Sequence, residues 1–222
     1  LAARRAQRLH TAEQFRRGRT PLAVIQVAED AAAAFDGAVR EAREREPPRA
    51  PAACREGCAW CCHKVVGTAA PEVLHILAYL RQSLSPEQWQ ALRGRVARGA
   101  EQRRALSPDR RRRAALPCPL LVEDRCAAYP ARPLTCRGYN SSDAGRCEAA
   151  LDPENRAVVP AYAPQQRLAT FVLDGLGAGL EESRLDGELL ELTAALHVAL
   201  ETPDALELWL AGKGVFAPAR LR

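Results

Sequence analysis

Eight cysteines carry most of the chemistry open to this chain of 222 residues, and they fall into two groups. Cys54, Cys58, Cys61 and Cys62 lie within nine residues as C-x3-C-x2-C-C, while Cys118, Cys126, Cys136 and Cys147 are spread over thirty. Three chemistries suit such a set. Disulfides staple small secreted modules, and a chain of this length does not need them to fold. Plain core cysteines would follow an apolar stripe, whereas Arg55, Glu56, His63 and Lys64 stand among the first four. Metal binding remains. Thiolates are soft ligands that select zinc, copper(I) and iron–sulfur clusters, so all eight cysteines are candidate ligands held reduced.

Spacing narrows the metal. Paired zinc knuckles need two C-x2-C units, and only Cys58 to Cys61 has that spacing; the second group has gaps of seven, nine and ten residues. An irregular four-thiolate zinc site stays open. C-x3-C-x2-C can set three thiolates around a cubane iron–sulfur cluster. Radical S-adenosylmethionine enzymes share that spacing on a (βα) barrel loop, and this chain lacks the strand–helix alternation of such a barrel. A structural zinc uses four ligands. Eight thiolates exceed that number, which favours an iron–sulfur cluster of the [4Fe–4S] type, with zinc as the alternative.

A thiolate cluster is negative and draws cations. Arg132 and Arg137 flank Cys136, and Arg55 and Lys64 flank the first group. Arg132, Arg137 and Tyr139 are therefore candidate cofactor contacts, the arginine fork being suited to an anionic substrate as well. His63 reads as a hydrogen-bonded neighbour of the site rather than a ligand. His75 and His197 read as packing or surface residues, and Trp60 as a shield over the C-x2-C loop. No nucleophile elbow, paired-carboxylate motif or phosphate loop is present, so no catalytic residue is assigned.

The surrounding pattern is helical. Residues 1–19 read as a peripheral helix or partly disordered arm. Thr20-Pro21 starts a helix whose apolar face would be Leu22, Ile25, Ala28, Ala32, Phe35 and Val39, ending at Pro47-Pro48. Pro71 opens a helix with Val73, Leu77, Leu80 and Leu84 on one side. Ser85-Pro86-Glu87-Gln88 is a capping box for the next, with Trp89, Leu92 and Val96 inward, and the two are expected to pair as an αα-hairpin. Ser107-Pro108 starts a short basic segment. Residues 118–147 are irregular, with room for one short hairpin turning at Glu123-Asp124. Helices resume beyond Pro164, through Leu189 to Leu200, and from Pro203. Gly175, Gly177 and Gly179 either weaken the first of these or allow a close helix contact.

Net charge is +5, and Lys64 and Lys213 are the only lysines among 32 basic residues. Arg110 to Arg113 reads as a solvated face, because no stacking aromatics are interleaved with it, so nucleic acid is not the expected partner. A protein or peptide partner is compatible with the helical surface. No apolar run reaches the length of a membrane span. With no leader at the start, the expected location is cytoplasmic.

The string Cys126-Ala127-Ala128-Tyr129-Pro130-Ala131-Arg132-Pro133-Leu134-Thr135-Cys136-Arg137-Gly138-Tyr139, preceded by Cys118-Pro119-Leu120-Leu121 and by the C-x3-C-x2-C-C group, resembles the YkgJ-type cysteine-cluster family. That family is described as zinc- or iron-chelating. The resemblance covers roughly residues 54–147. It implies that the first-group cysteines, with Cys118, Cys126 and Cys136, are ligands; Cys147 lies beyond the clearest part of the pattern. The family also occurs as the cysteine-rich part of a flagellin lysine methylase, for which an iron–sulfur centre is implied. The expectation is thus a mainly α fold around an irregular cysteine-rich metal-binding centre. Residues 1–53 would form an N-terminal helical arm, 54–147 the cysteine-cluster region, and 148–222 helices packing on the same domain.

Overall fold

Capping residues act where the sequence puts them. In the computed structural model, which describes residues 1–152, 154–155 and 157–221 apart from the side chains of Pro108 and Arg112, Thr20 Oγ1 accepts the Ala23 amide at 3.1 Å. Pro21 fills the first helical position, where no amide is needed. Helices α1 (Ala2–Arg17) and α2 (Pro21–Arg45) form the N-terminal part. Strand β1 (Gly67–Thr68) leads into α3 (Ala70–Ser83), α4 (Pro86–Arg104) and α5 (Pro108–Arg113). The irregular middle holds β2 (Leu121–Val122), β3 (Arg125–Cys126), α6 (Leu134–Gly138) and α7 (Ala144–Ala149). Then come α8 (Ala163–Glu182), β4 (Leu190–Glu191), α9 (Leu192–Glu201) and α10 (Ala205–Leu210). The fold is mainly α, and its described strands pair only as two short antiparallel ladders, β1 with β4 and β2 with β3.

The N-terminal segment is an ordered helix. It lies along α8, and the glycines there permit the contact: a Cβ at Gly175 would stand 2.4 Å from the Arg4 carbonyl oxygen, and one at Gly179 2.5 Å from Thr11 Cβ. Gln7 and Thr11, both buried, satisfy each other across one turn at 3.1 Å.

Two expectations are corrected. The buried face of α2 is Val24, Val27, Ala28, Ala31 and Phe35, and Leu22 is 70% exposed. This Ala-rich helix offers two overlapping apolar stripes, and packing against α3 and α8 selects between them. The αα-hairpin does not form as a packed pair. Ser85 caps α4 as expected, accepting the Gln88 amide at 3.3 Å, but α3 and α4 each pack on α9 rather than on one another. Trp89 accordingly stays half-exposed under the Arg81 guanidinium, 4.7 Å from its ring centre, while Leu92 and Val96 are buried.

One apolar core draws residues from the whole length of the chain. Phe15 and Val24, Val73 and Leu80, Leu92 and Val96, Leu120, Leu176 and Leu196, and Trp209 and Phe216 all belong to it. Cys118, Cys126 and Cys136 pack on its edge. The cysteine region is therefore seated on the core rather than carried on a separate lobe.

Candidate metal centre

Backbone hydrogen bonds bring the two cysteine groups together. The Cys118 amide donates to the Cys62 carbonyl at 2.7 Å, and the Cys118 carbonyl accepts from Leu121 at 3.0 Å. Leu121 pairs with Cys126 across β2–β3. The hairpin turns on Glu123 (φ 48°) and Asp124 (φ 59°), the two left-handed residues of a type I′ turn. At the other end, the Ala53 amide donates to the Ser141 carbonyl at 2.8 Å, and the Cys54 thiol reaches the same oxygen at 3.8 Å. Asp143 caps α7 through the Arg146 amide at 3.0 Å, and α7, carrying Cys147, packs on the 3-10 turn Trp60–His63, carrying Cys61 and Cys62.

Three charged side chains that the pattern did not single out hold this arrangement. Glu72 is 4% exposed, and its carboxylate accepts from Thr68 Oγ1 (2.9 Å), the Ala69 amide (2.9 Å) and the Leu134 amide (2.7 Å). It ties the start of α3 to the start of α6, on which Cys136 rides. Thr135 Oγ1 adds a bond to the Gly67 carbonyl at 2.6 Å. Arg103, buried on α4, donates to the carbonyls of Leu116 (3.0 Å) and Pro117 (3.4 Å), just before Cys118, and lies 3.5 Å from the Glu191 carboxylate. Arg95 Nε donates to the Pro119 carbonyl at 3.0 Å, just after it. A carboxylate or guanidinium on the apolar side of a helix was the available signal, because such a group is buried only when fully partnered.

All eight cysteines are free; Cys54 is exposed and the rest half-buried. Their charges couple through Cys61. Cys54 feels Cys58, Cys61 and Cys147, whereas Cys136 feels Cys118, Cys126 and Cys61. Cys62 feels Cys61, Cys118 and Cys126. The thiols thus divide into an outer set of Cys54, Cys58 and Cys147 and an inner set of Cys62, Cys118, Cys126 and Cys136, with Cys61 between them. Hydrogen bonding from the neighbouring Cys62 thiol pulls Cys61 down to about 7 against the opposing effect of burial, with Arg132 and Lys64 adding their charges; Cys62 is correspondingly pushed up. Burial raises Cys118 to about 12 and holds Cys136 well above the ordinary thiol range. Among the described residues, no three Cys, His, Asp or Glu side chains stand in a ready-made metal-binding arrangement.

The predicted contacts separate. Arg132 stacks 3.9 Å over the Tyr129 ring, and its charge is felt by Cys61 and Cys126. Arg137 is committed elsewhere, donating to the Pro130 (2.6 Å) and Arg132 (3.0 Å) carbonyls and pairing with Asp36 at 2.9 Å. Tyr139 lies close enough to Cys136 and Cys61 that burial and their charges raise its hydroxyl pKa. His63 Nδ1 sits 3.2 Å from the Ala59 carbonyl oxygen, as a hydrogen-bonded neighbour would. His75 is half-buried on α3, 3.5 Å from Glu29, and His197 lies on α9, also half-buried. In the basic run, the side chain of Arg112 lies outside the described residues.

The donor chemistry, eight free cysteines carried on neighbouring, mostly short segments, suits a soft metal. Comparison with known proteins agrees with it. Residues 53–158 match the model of the CxxCxxCC family, described as a "Putative zinc- or iron-chelating domain". No curated protein and no solved structure matches the chain. Among the described residues, no helix is long and apolar enough to cross a membrane.

Proposed function

We propose that this chain, whose residues 53–158 match the CxxCxxCC family model, holds an iron–sulfur centre of the [4Fe–4S] type on its cysteines. Its role would be catalytic or accessory, in a modification or sulfur-handling pathway. One observation carries the reading: the Cys118 amide donates to the Cys62 carbonyl at 2.7 Å and α7, carrying Cys147, packs on the turn Trp60–His63, so more than four cysteines from both groups are held in one region. A closed zinc site would leave the surplus unexplained. The inner thiols, with Cys61, would hold the centre. Cys54, Cys58 and Cys147 would line its exposed side and either complete it or remain as thiols beside it. A bound cluster supplies electron transfer or a Lewis-acidic iron. Arg132 would offset its negative charge, Tyr139 would face its edge, and Arg137 would position the Pro130–Arg132 segment rather than touch it. Reduced cysteines fit a cytoplasmic setting, and a protein or peptide partner would suit an accessory role.

Zinc is the second reading, supported by the inner set numbering four thiols, the count of a closed tetrahedral site. The protein would then be a structural binding module. Purification without oxygen, followed by iron, zinc and acid-labile sulfide analysis with visible and paramagnetic resonance spectra, separates the two. The first reading expects a brown protein with iron and sulfide. A colourless protein with stoichiometric zinc, unchanged by anaerobic reconstitution, establishes the second.

A further inference from the structure

A cleft of about 290 Å³ has walls that include His63, Lys64, Arg113, Tyr139, Asp152 and Asn155. Each wall continues a cysteine-bearing segment. His63 and Lys64 follow Cys62, Tyr139 follows Cys136 by three residues, Arg113 precedes Cys118 by five, and Asp152 follows Cys147 by five. The hydrogen bonds that draw the two cysteine groups together therefore also build the cleft.

We propose that this cleft binds a small carboxylate bearing a hydroxyl or amino group. The lining sets the class. Lys64 and Arg113 bring two fixed positive charges. Lys64 gives one proton to the Ala150 carbonyl at 3.3 Å, which fixes the ammonium at the wall and leaves its other protons for a ligand. Arginine presents a planar fork matched to the two oxygens of a carboxylate. The Tyr139 hydroxyl supplies a further donor. Asp152 offsets one positive charge, so the cleft suits a singly charged ligand better than a polyanion, and with Asn155 it offers acceptors for a hydroxyl or amino group. The Asp152 carboxylate is itself held by the Glu154 amide at 2.9 Å. The volume is at the small end for ligand sites, which favours a metabolite of a few carbons over a nucleotide. None of the described lining residues is a cysteine, so the site does not stand or fall with the iron–sulfur reading.

The test uses the full chain as purified without oxygen, with metal content measured before and after each titration. Sodium L-lactate and L-serine are the probes, with sodium chloride at matched ionic strength and inorganic phosphate as controls. Lactate or serine should raise the melting temperature saturably while chloride does not. The Lys64→Gln/Arg113→Gln double variant should bind at least tenfold more weakly when compared at equal metal content. Arg113→Gln alone, on an exposed segment, covers the case in which the double variant folds poorly, and should weaken binding in the same direction. The proposal is overturned by a response no larger than that to chloride, by phosphate binding in preference to both carboxylates, or by variants that bind as the unsubstituted chain does. An iron-free protein that still binds lactate would remove the iron–sulfur reading and leave this site standing.

Discussion

Glu72 Oε1 lies 2.7 Å from the Leu134 amide nitrogen, so a single buried carboxylate joins the helix that follows the first cysteine group to the helix that carries Cys136. Its other oxygen takes two more donors at 2.9 Å. Removing it strands three buried donors, each worth about 1–3 kcal/mol when left unpaired. Glu72→Ala is expected to cost about 3–5 kcal/mol, or a fall of roughly 6–20 °C in melting temperature for a chain of this size. It should also lower metal retention. Glu72→Gln should recover only part of the loss, since its amide nitrogen would face donors. Chemical denaturation of the three proteins checks this. A loss under 1 kcal/mol for Glu72→Ala would mean that the carboxylate does not hold α6.

The thiols predict a pH dependence with a definite sign. Burial raises Cys118 to about 12 and Cys136 well above its usual value, so both stay protonated in the folded, metal-free chain at pH values where the unfolded chain has lost those protons. Stability from these groups is complete below about pH 9 and is lost as pH rises from there toward the folded values, by about 1.4 kcal/mol per pH unit for each thiol. Urea midpoints of metal-stripped protein at pH 7.5, 9 and 10.5 should fall across the last interval, and Cys118→Ala should flatten the slope. Loading metal reverses the preference, because ligands bind as thiolates. Apparent metal affinity should therefore climb with pH, with protons released to the buffer on binding. Affinity independent of pH would argue that these two thiols are not ligands.

Much of this architecture can be read from the sequence, and the parts that cannot have a common cause. Local signals were sufficient for the Thr20 and Ser85 caps, the end of α2 before Pro47, the hairpin turn at Glu123-Asp124 and the close contact at Gly175 and Gly179. Each depends on a few adjacent residues or on the absence of a side chain. The face of α2 and the partner of α3 depend instead on which distant helix arrives, and α9, more than a hundred residues after α3, decides the latter. The site divides in the same way. Which residues are candidate ligands follows from type and spacing. That Arg137 binds backbone carbonyls and Asp36, that Arg103 steadies the approach to Cys118, and that the turn after Cys62 walls a cleft with Arg113 are long-range outcomes that no spacing encodes.

Two glycines on helices predict opposite outcomes. At Gly179 an added methyl would sit 2.5 Å from Thr11 Cβ and 2.6 Å from the Arg8 carbonyl oxygen, so α1 must move off α8. Gly179→Ala is expected to destabilise by about 1–3 kcal/mol. At Gly37 on α2 the nearest atom is the flexible end of Arg40 at 3.9 Å. Gly37→Ala should stabilise by about 0.5–1 kcal/mol, since alanine removes backbone freedom from the unfolded chain. Thermal melts of both variants decide it. Equal effects would mean that the α1–α8 contact is looser than its geometry.

The grouping of the thiols predicts unequal roles for cysteines of the same type. Cys136 lies on α6, anchored through Glu72 and Thr135, within electrostatic reach of Cys118, Cys126 and Cys61. Cys54 is exposed at the rim, and its thiol reaches the Ser141 carbonyl at 3.8 Å. A ligand seated on a fixed helix loses little freedom when it binds, whereas a rim thiol must give up mobility and can be replaced by solvent or by another thiol. Cys136→Ser should therefore remove most of the bound metal and, because a metal held by both cysteine groups would bridge segments distant in sequence, lower the melting temperature by more than the substitution does in the metal-free chain. Cys54→Ser should retain most of the metal but release it faster to a chelator. Metal content, melting with and without metal, and the rate of release to a coloured chelator measure all three. If Cys136→Ser keeps its metal and its melting temperature while Cys54→Ser loses both, the centre lies on the C-x3-C-x2-C-C loop alone. The inner thiols would then be core residues, buried for packing and not for chemistry.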